Sequence, residues 1–185
     1  MSANAGLAQL ERFNSVWYTR IEDTGVFPNN PSLALILYKS LLPFEEPPSS
    51  TLRCSPDSIE QLFGRFGWGS SWRNGIYAVH HFHSTAHEVL GVYRGEVTVV
   101  LGGEGGLEIE LNAGDAVLIP AGVAHKNVAS SGDFRTVGAY PIGQVWDVCY
   151  GNDGERPQVD RNIEATGRPM MDPVYGENGP LSILW

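Results

Sequence analysis

The sequence predicts an all-β fold, a barrel or sandwich of short strands, and three observations carry that expectation. Gly 22 plus Pro 12 makes 34 turn-forming residues in 185, too many for a helical bundle. From Asn74 to Tyr140, short apolar runs alternate with glycine turns at close spacing. Charged residues make up 18% against 42% hydrophobic, enough apolar side chain for one packed core.

Residues 1–25 read as a loosely specified arm. Pro28-Asn29-Asn30-Pro31 is a turn signal, because proline presets φ and asparagine tolerates left-handed backbone. Leu33 to Leu42 then reads as a buried strand, with a short helix as the alternative that periodicity leaves open. Phe44 to Ser50 is a linker. One helix is well marked: Ser55 caps, Pro56 opens, and Asp57 and Glu60 suit the positive end of the dipole. Ile59, Leu62, Phe63 and Phe66 form one apolar stripe, and Gly67 stops it.

The predicted strands are Ile76–His83, Glu88–Tyr93, Glu96–Leu101, Leu107–Leu111, Ala116–Ile119, His125–Val128 and Phe134–Tyr140. The tail from Gly151 reads as an extended wrap docked by Leu181–Trp185.

A formal charge of −9 and no long basic run argue against a nucleic-acid-binding face. The longest apolar stretch is far shorter than the roughly 20 residues a bilayer span needs. No secretory leader is recognisable, and Cys54 and Cys149 make neither a disulfide framework nor a zinc motif. A cytoplasmic protein with no membrane and no nucleic-acid partner is the expectation.

All histidines fall in two places: His80, His81, His83 and His87 in one segment, His125 in another. Strand parity puts His81 and His83 on one face, and a short turn returns Glu88 beside them. Two imidazoles and a carboxylate suit a divalent ion: Fe, Mn, Ni or Zn. His125, after the Pro120-Ala121-Gly122 turn, supplies a fourth ligand from across the barrel. The competing explanation is a polar pair on a wet strand face, with Glu88 paired to Arg94; it holds better for an isolated His-x-His than for this cluster. His80 and His87 read as supporting or surface groups. The same parity turns Tyr77 and Val79 inward with His81, and Asn127 inward with His125. Tyr77 is a proton-donor candidate, though an inward tyrosine is more often packing. Trp68, Trp72, Tyr140 and Trp146 could line the mouth or simply be core.

Gly75, five residues, His81-Phe82-His83, four residues, Glu88, six residues and Gly95 resembles the first motif of the cupin superfamily. Gly114, five residues, Pro120-Ala121-Gly122, two residues and His125 resembles the second. Where that second motif usually has an asparagine four residues after its histidine, this chain has Ala129, with Asn127 two residues after His125. More narrowly, the chain is similar to the small YjlB-like cupins, over such segments as Ser71-Trp72-Arg73-Asn74-Gly75, Gly138-Ala139-Tyr140-Pro141 and Asp172–Leu181.

The resemblance implies a single cupin, a double-stranded β-helix or jelly-roll barrel, with a short N-terminal helix and an extended C-terminal wrap. Its expected divisions are an arm at 1–26, the cupin domain at 27–150 with motifs at 75–95 and 114–127, and the wrap at 151–185. Function then divides three ways. A metal-dependent small-molecule enzyme, either a dioxygenase or a Lewis-acid isomerase or lyase, leads. A non-catalytic ligand-binding cupin is the alternative, and a storage-like cupin is third. A homodimer is expected, with the Leu33–Leu42 strand adding to the edge of a partner's sheet.

Overall fold

The computed structural model describes residues 10–40, 44–45 and 53–185. In chain order the elements are β1 (Glu11–Phe13), β2 (Val16–Ile21), β3 (Asn30–Tyr38), β4 (Phe44–Glu45), β5 (Arg53–Cys54) and α1 (Pro56–Arg65). There follow β6 (Trp68–Asn74), β7 (Glu88–Arg94), β8 (Glu96–Leu101), β9 (Leu107–Asn112), β10 (Ala116–Ile119), β11 (His125–Ser130) and β12 (Arg135–Pro141). Two short helices close the chain, α2 (Gln158–Ala165) and α3 (Leu181–Leu184). A seven-stranded sheet runs β1-β2-β3-β10-β7-β12-β6, and a three-stranded sheet runs β11-β8-β9, with antiparallel pairing throughout. This is the all-β architecture expected, with small helices added. No helix among the described residues is long and apolar enough to cross a membrane.

The middle strands of the large sheet are buried on both faces, and β3 shows how. Its Leu35 and Leu37 face the space between the sheets, meeting Leu90, Val99, Ile109 and Val117. Its Ala34, Ile36 and Tyr38 face the other way, against Ile59 and Phe63 of α1 and Val174, Leu181 and Leu184 of the C-terminal segment. Strand alternation therefore divides one barrel core from one helix-covered layer. In β7 the same alternation sends Glu88 inward with Leu90 and Val92, while Val89 goes outward.

Several expectations are corrected. Residues 11–21, read as part of a loose arm, form β1 and β2 of the large sheet. Residues 76–83 are not a regular strand: only His81 and Phe82 make bridges, to His125 and Cys149. The strand of that region is β6, whose polar run Gly69-Ser70-Ser71 hides it from periodicity. In β6, Ser70 takes a left-handed φ of 49°, and the register against β12 shifts between Gly138 and Tyr140. That bulge lets Trp68 face the helix layer and Trp72 the barrel core. The extended wrap carries α2 and α3. β3 pairs with β2 on one side and β10 on the other, so neither of its edges is free for a partner's sheet. The pairing expected for this strand with a partner's sheet is made within the chain instead. The linker at 44–50 lies largely outside the described residues.

Candidate metal centre

The second histidine segment is set by its turn. Gly122 has φ +93°, and a Cβ there would sit 2.4 Å from the Asn29 carbonyl oxygen, so glycine is required. Around it, Val123 N donates to Pro120 O, Gly122 N to His83 O, and Ala121 N to His87 Nδ1. Asn29 Oδ1 accepts from Ala124 N, and Asn29 Nδ2 donates to Gly102 O. His125 then meets His81 through a reciprocal backbone pair of 3.2 and 2.9 Å. One end of the barrel is thus stitched shut by backbone, with imidazoles projecting inside.

The three histidines share a tautomer. Nδ1 donates to a carbonyl in each: His81 to Val79 O at 3.0 Å, His125 to Val123 O at 3.2 Å, and His83 to Asp147 O. Nε2 in each is left as the lone-pair nitrogen, the state a metal ligand needs. Asp147 is itself clamped, its carboxylate accepting from Ser84 N at 2.6 Å, Thr85 N at 3.3 Å and the Ser84 hydroxyl.

The ligand atoms of His83, Glu88 and His125, all buried, lie within 4.8 Å of one another. Glu88 Oε2 stands 3.5 Å from His83 Nε2 and 3.2 Å from His125 Nε2, yet has no hydrogen-bond partner. Donor bonds of about 2.1 Å at right angles put neighbouring ligand atoms about 3 Å apart. A buried, orphaned carboxylate oxygen between two outward-turned Nε2 atoms therefore fits a divalent ion. Without an ion, protons on these imidazoles take its electrostatic part. Burial alone would raise the Glu88 carboxyl, but the adjoining His83 and His125 imidazoles hold it well below the usual range. Burial would lower His83, but the Glu88 carboxylate carries it above its ordinary value. His81, held down by burial and by His125, sits at about 3 and stays neutral.

The structure brings His83, Glu88 and His125 together as anticipated. His81 lines the same cavity, its ring 4.1 Å from that of His125, but its nitrogens lie outside the 4.8 Å set. Tyr77 stands at the mouth, 53% exposed, its ring 4.9 Å from His81. Val79 is 55% exposed and does not face inward; the bend at 78–79 breaks the parity that predicted it. Asn127 is not in the cavity either: its amide donates to Ser130 Oγ, and its backbone N–H holds the Tyr77 carbonyl. The register of β11 is regular from His125 to Asn127 and shifts only beyond it, so strand parity alone did not bring Asn127 into the cavity. His80 reaches outward to Glu104, and His87 supports the 120–122 turn against Trp185.

The cavity holds about 300 Å³, with the ligand cluster as its floor. Trp72, Tyr140 and Trp146 form its walls, whereas Trp68 is buried in the opposite layer and donates to Met171 O. Tyr140 stacks on Trp146 (5.6 Å, 20°), and both meet the His83 ring edge-on. Trp72 Nε1 donates to Tyr140 Oη at 2.9 Å. Burial and the neighbouring Glu88 charge raise the Tyr140 hydroxyl well above its ordinary value, so the phenol keeps its proton. Sequence reasoning gave these aromatics little weight. It missed Asp147 altogether, because a residue acting through its carbonyl leaves no side-chain signature.

Residues 73–137 match the family described as Cupin_2, Cupin domain. The chain is 37% identical over 163 residues to the uncharacterized protein YjlB of Bacillus subtilis (strain 168), covering 88% of this chain and 92% of that one. Solved structures align more loosely. Acireductone dioxygenase from Bacillus anthracis, with cadmium ion in its active center, aligns at TM-score 0.41 and 14% identity over 63% of this chain and 83% of that one. The dTDP-6-deoxy-D-glucose-3,5-epimerase RmlC from Legionella pneumophila Philadelphia 1 aligns at TM-score 0.37 and 16% identity, over 68% and 71%. Both cupin motifs lie within the matched family span, and the YjlB likeness runs nearly end to end: the chain belongs to the YjlB-like cupins.

Proposed function

We propose that this protein is a metal-dependent enzyme acting on a small oxygen-bearing molecule bound in the barrel cavity. The observation that supports this reading is Glu88 Oε2, buried without a partner between two lone-pair imidazole nitrogens at the floor of an open cavity. His83, Glu88 and His125 would hold one divalent ion, with His81 as the fourth ligand. Bound there, the ion would supply Lewis-acid polarisation of a substrate oxygen or a site for O2 chemistry.

The chain's own residues supply the rest. Carbonyls of Val79, Val123 and Asp147 fix the imidazole tautomers. Glu88 contributes the sole ligand charge. Tyr140 keeps its proton at Oη beside Glu88, with Trp72 donating to that oxygen, and would hydrogen-bond a substrate oxygen. Tyr77 and Trp146 limit water at the mouth.

Titrating metal-stripped wild type and Glu88→Gln with Mn(II) or Fe(II) tests the reading. Wild type should bind one equivalent, and Glu88→Gln should bind at least tenfold more weakly, as should the His81→Ala/His83→Ala double variant. Identical curves for wild type and variants would remove these residues from the site. Oxygen uptake during turnover then separates oxygenase from non-redox chemistry.

A further inference from the structure

The cavity's charge and shape limit what can sit on the ion. Its lining contains one cationic side chain, Arg73. That guanidinium is already committed to α1: Nε and Nη2 donate to the two Glu60 oxygens at 2.8 and 2.7 Å, and Nη2 also to Asp57. Among the described lining residues nothing else can neutralise a phosphate or a second carboxylate. A divalent ion with Glu88 leaves a net charge of about +1, which one deprotonated oxygen balances. A second negative charge would be desolvated there without a partner.

The walls point the same way. Trp146 and Tyr140 stack nearly parallel at 20°, Trp72 stands behind the Tyr140 hydroxyl, and Leu90 closes the inner side. At about 30 Å³ per water, 300 Å³ has room for about ten waters, or a molecule of one or two rings. We infer that the substrate is a planar, conjugated oxygen chelator, a phenol or enol carrying at most one negative charge, with Trp146 as its specificity-determining contact. This rests on the metal reading above.

The test uses Mn(II)-loaded protein whose metal content is measured first, then calorimetric titration with tropolone, oxalate and phosphoglycolate. Each affinity is divided by that ligand's affinity for aqueous Mn(II). Tropolone should be favoured at least tenfold over both multiply charged anions. Trp146→Ala, at a half-exposed position, should weaken tropolone about tenfold and change oxalate less than twofold. Preference for oxalate or phosphoglycolate, or equal weakening of tropolone and oxalate in Trp146→Ala, would overturn the inference while leaving the metal reading intact. Protein that holds no Mn(II) would overturn both.

Discussion

Gly138 faces Trp72 across the β12–β6 ladder, and its missing side chain is what lets the indole lie over β12. A Cβ at Gly138 would fall 2.2 Å from Trp72 Cε2, 2.3 Å from Cζ2 and 2.5 Å from Nε1. Carbon contacts settle at about 3.5–4.0 Å, so Gly138→Ala must push the ring by more than about 1 Å. The Trp72 Nε1 to Tyr140 Oη bond, 2.9 Å long, does not survive that shift. Overpacking costs about 1–3 kcal/mol and the bond about 1 kcal/mol, for a loss of about 2–4 kcal/mol. In a chain of this size that lowers Tm by about 4–16 °C. The assay is a double-mutant cycle by denaturant unfolding with Trp72→Ala. Once the indole is gone, Gly138→Ala should become neutral, or stabilising by up to about 1 kcal/mol, since alanine suits a strand better than glycine. An equal penalty in both backgrounds would refute the argument.

Three further outcomes follow from the site and its supports. His83 is raised, so its contribution to the stability of metal-free protein is complete below the unfolded value of about 6.5 and lost as pH rises through the folded value. Glu88 is depressed, so its contribution is present above the unfolded value of about 4.5 and lost as pH falls through the folded one. The pair's contribution to unfolding free energy is therefore fullest between about pH 4.5 and 6.5, and metal binding below the His83 transition should release about one proton; a pH-independent metal affinity would contradict this. Asp147→Asn weakens the clamp from Ser84 and Thr85 and should lower metal affinity about 10–100-fold, read by competition with a chelator. Asp172, buried, accepts from Val174 N, Tyr175 N, Tyr38 Oη and Leu181 N, so Asp172→Asn turns a donor toward donors. It should cost about 2–3 kcal/mol and expose residues 166–185 to protease, while metal affinity stays within about twofold.

Strands with hydrophobic alternation or a short apolar run between glycine turns, such as β8 and β10, were legible to the residue. So was α1, because cap, proline, apolar stripe and stop all agree there. β6 was not, since its polar middle carries a bulge whose left-handed Ser70 switches faces. The short turn served to place Glu88, which stands at the start of a regular strand, whereas parity failed for Val79 and Asn127, which flank irregular backbone. The metal-ligand candidates could be read from spacing alone, whereas the aromatic wall needed the β6–β12 register and Gly138. The partner of the Leu33–Leu42 run was misjudged because apolar content tells that a strand is covered, not by which chain.

The placement of β3 also sets a schedule for the nascent chain. Its Ile36 can pair at once with Tyr18 of the neighbouring hairpin, but its other edge waits for Leu118, 82 positions later. At about 5–20 residues per second, that edge stays open for about 4–16 s after it leaves the ribosome. Throughout that interval a Leu-Ala-Leu-Ile-Leu ribbon offers unpaired backbone to any other extended chain. Only when the second cupin motif has emerged does that edge gain the strand that covers it.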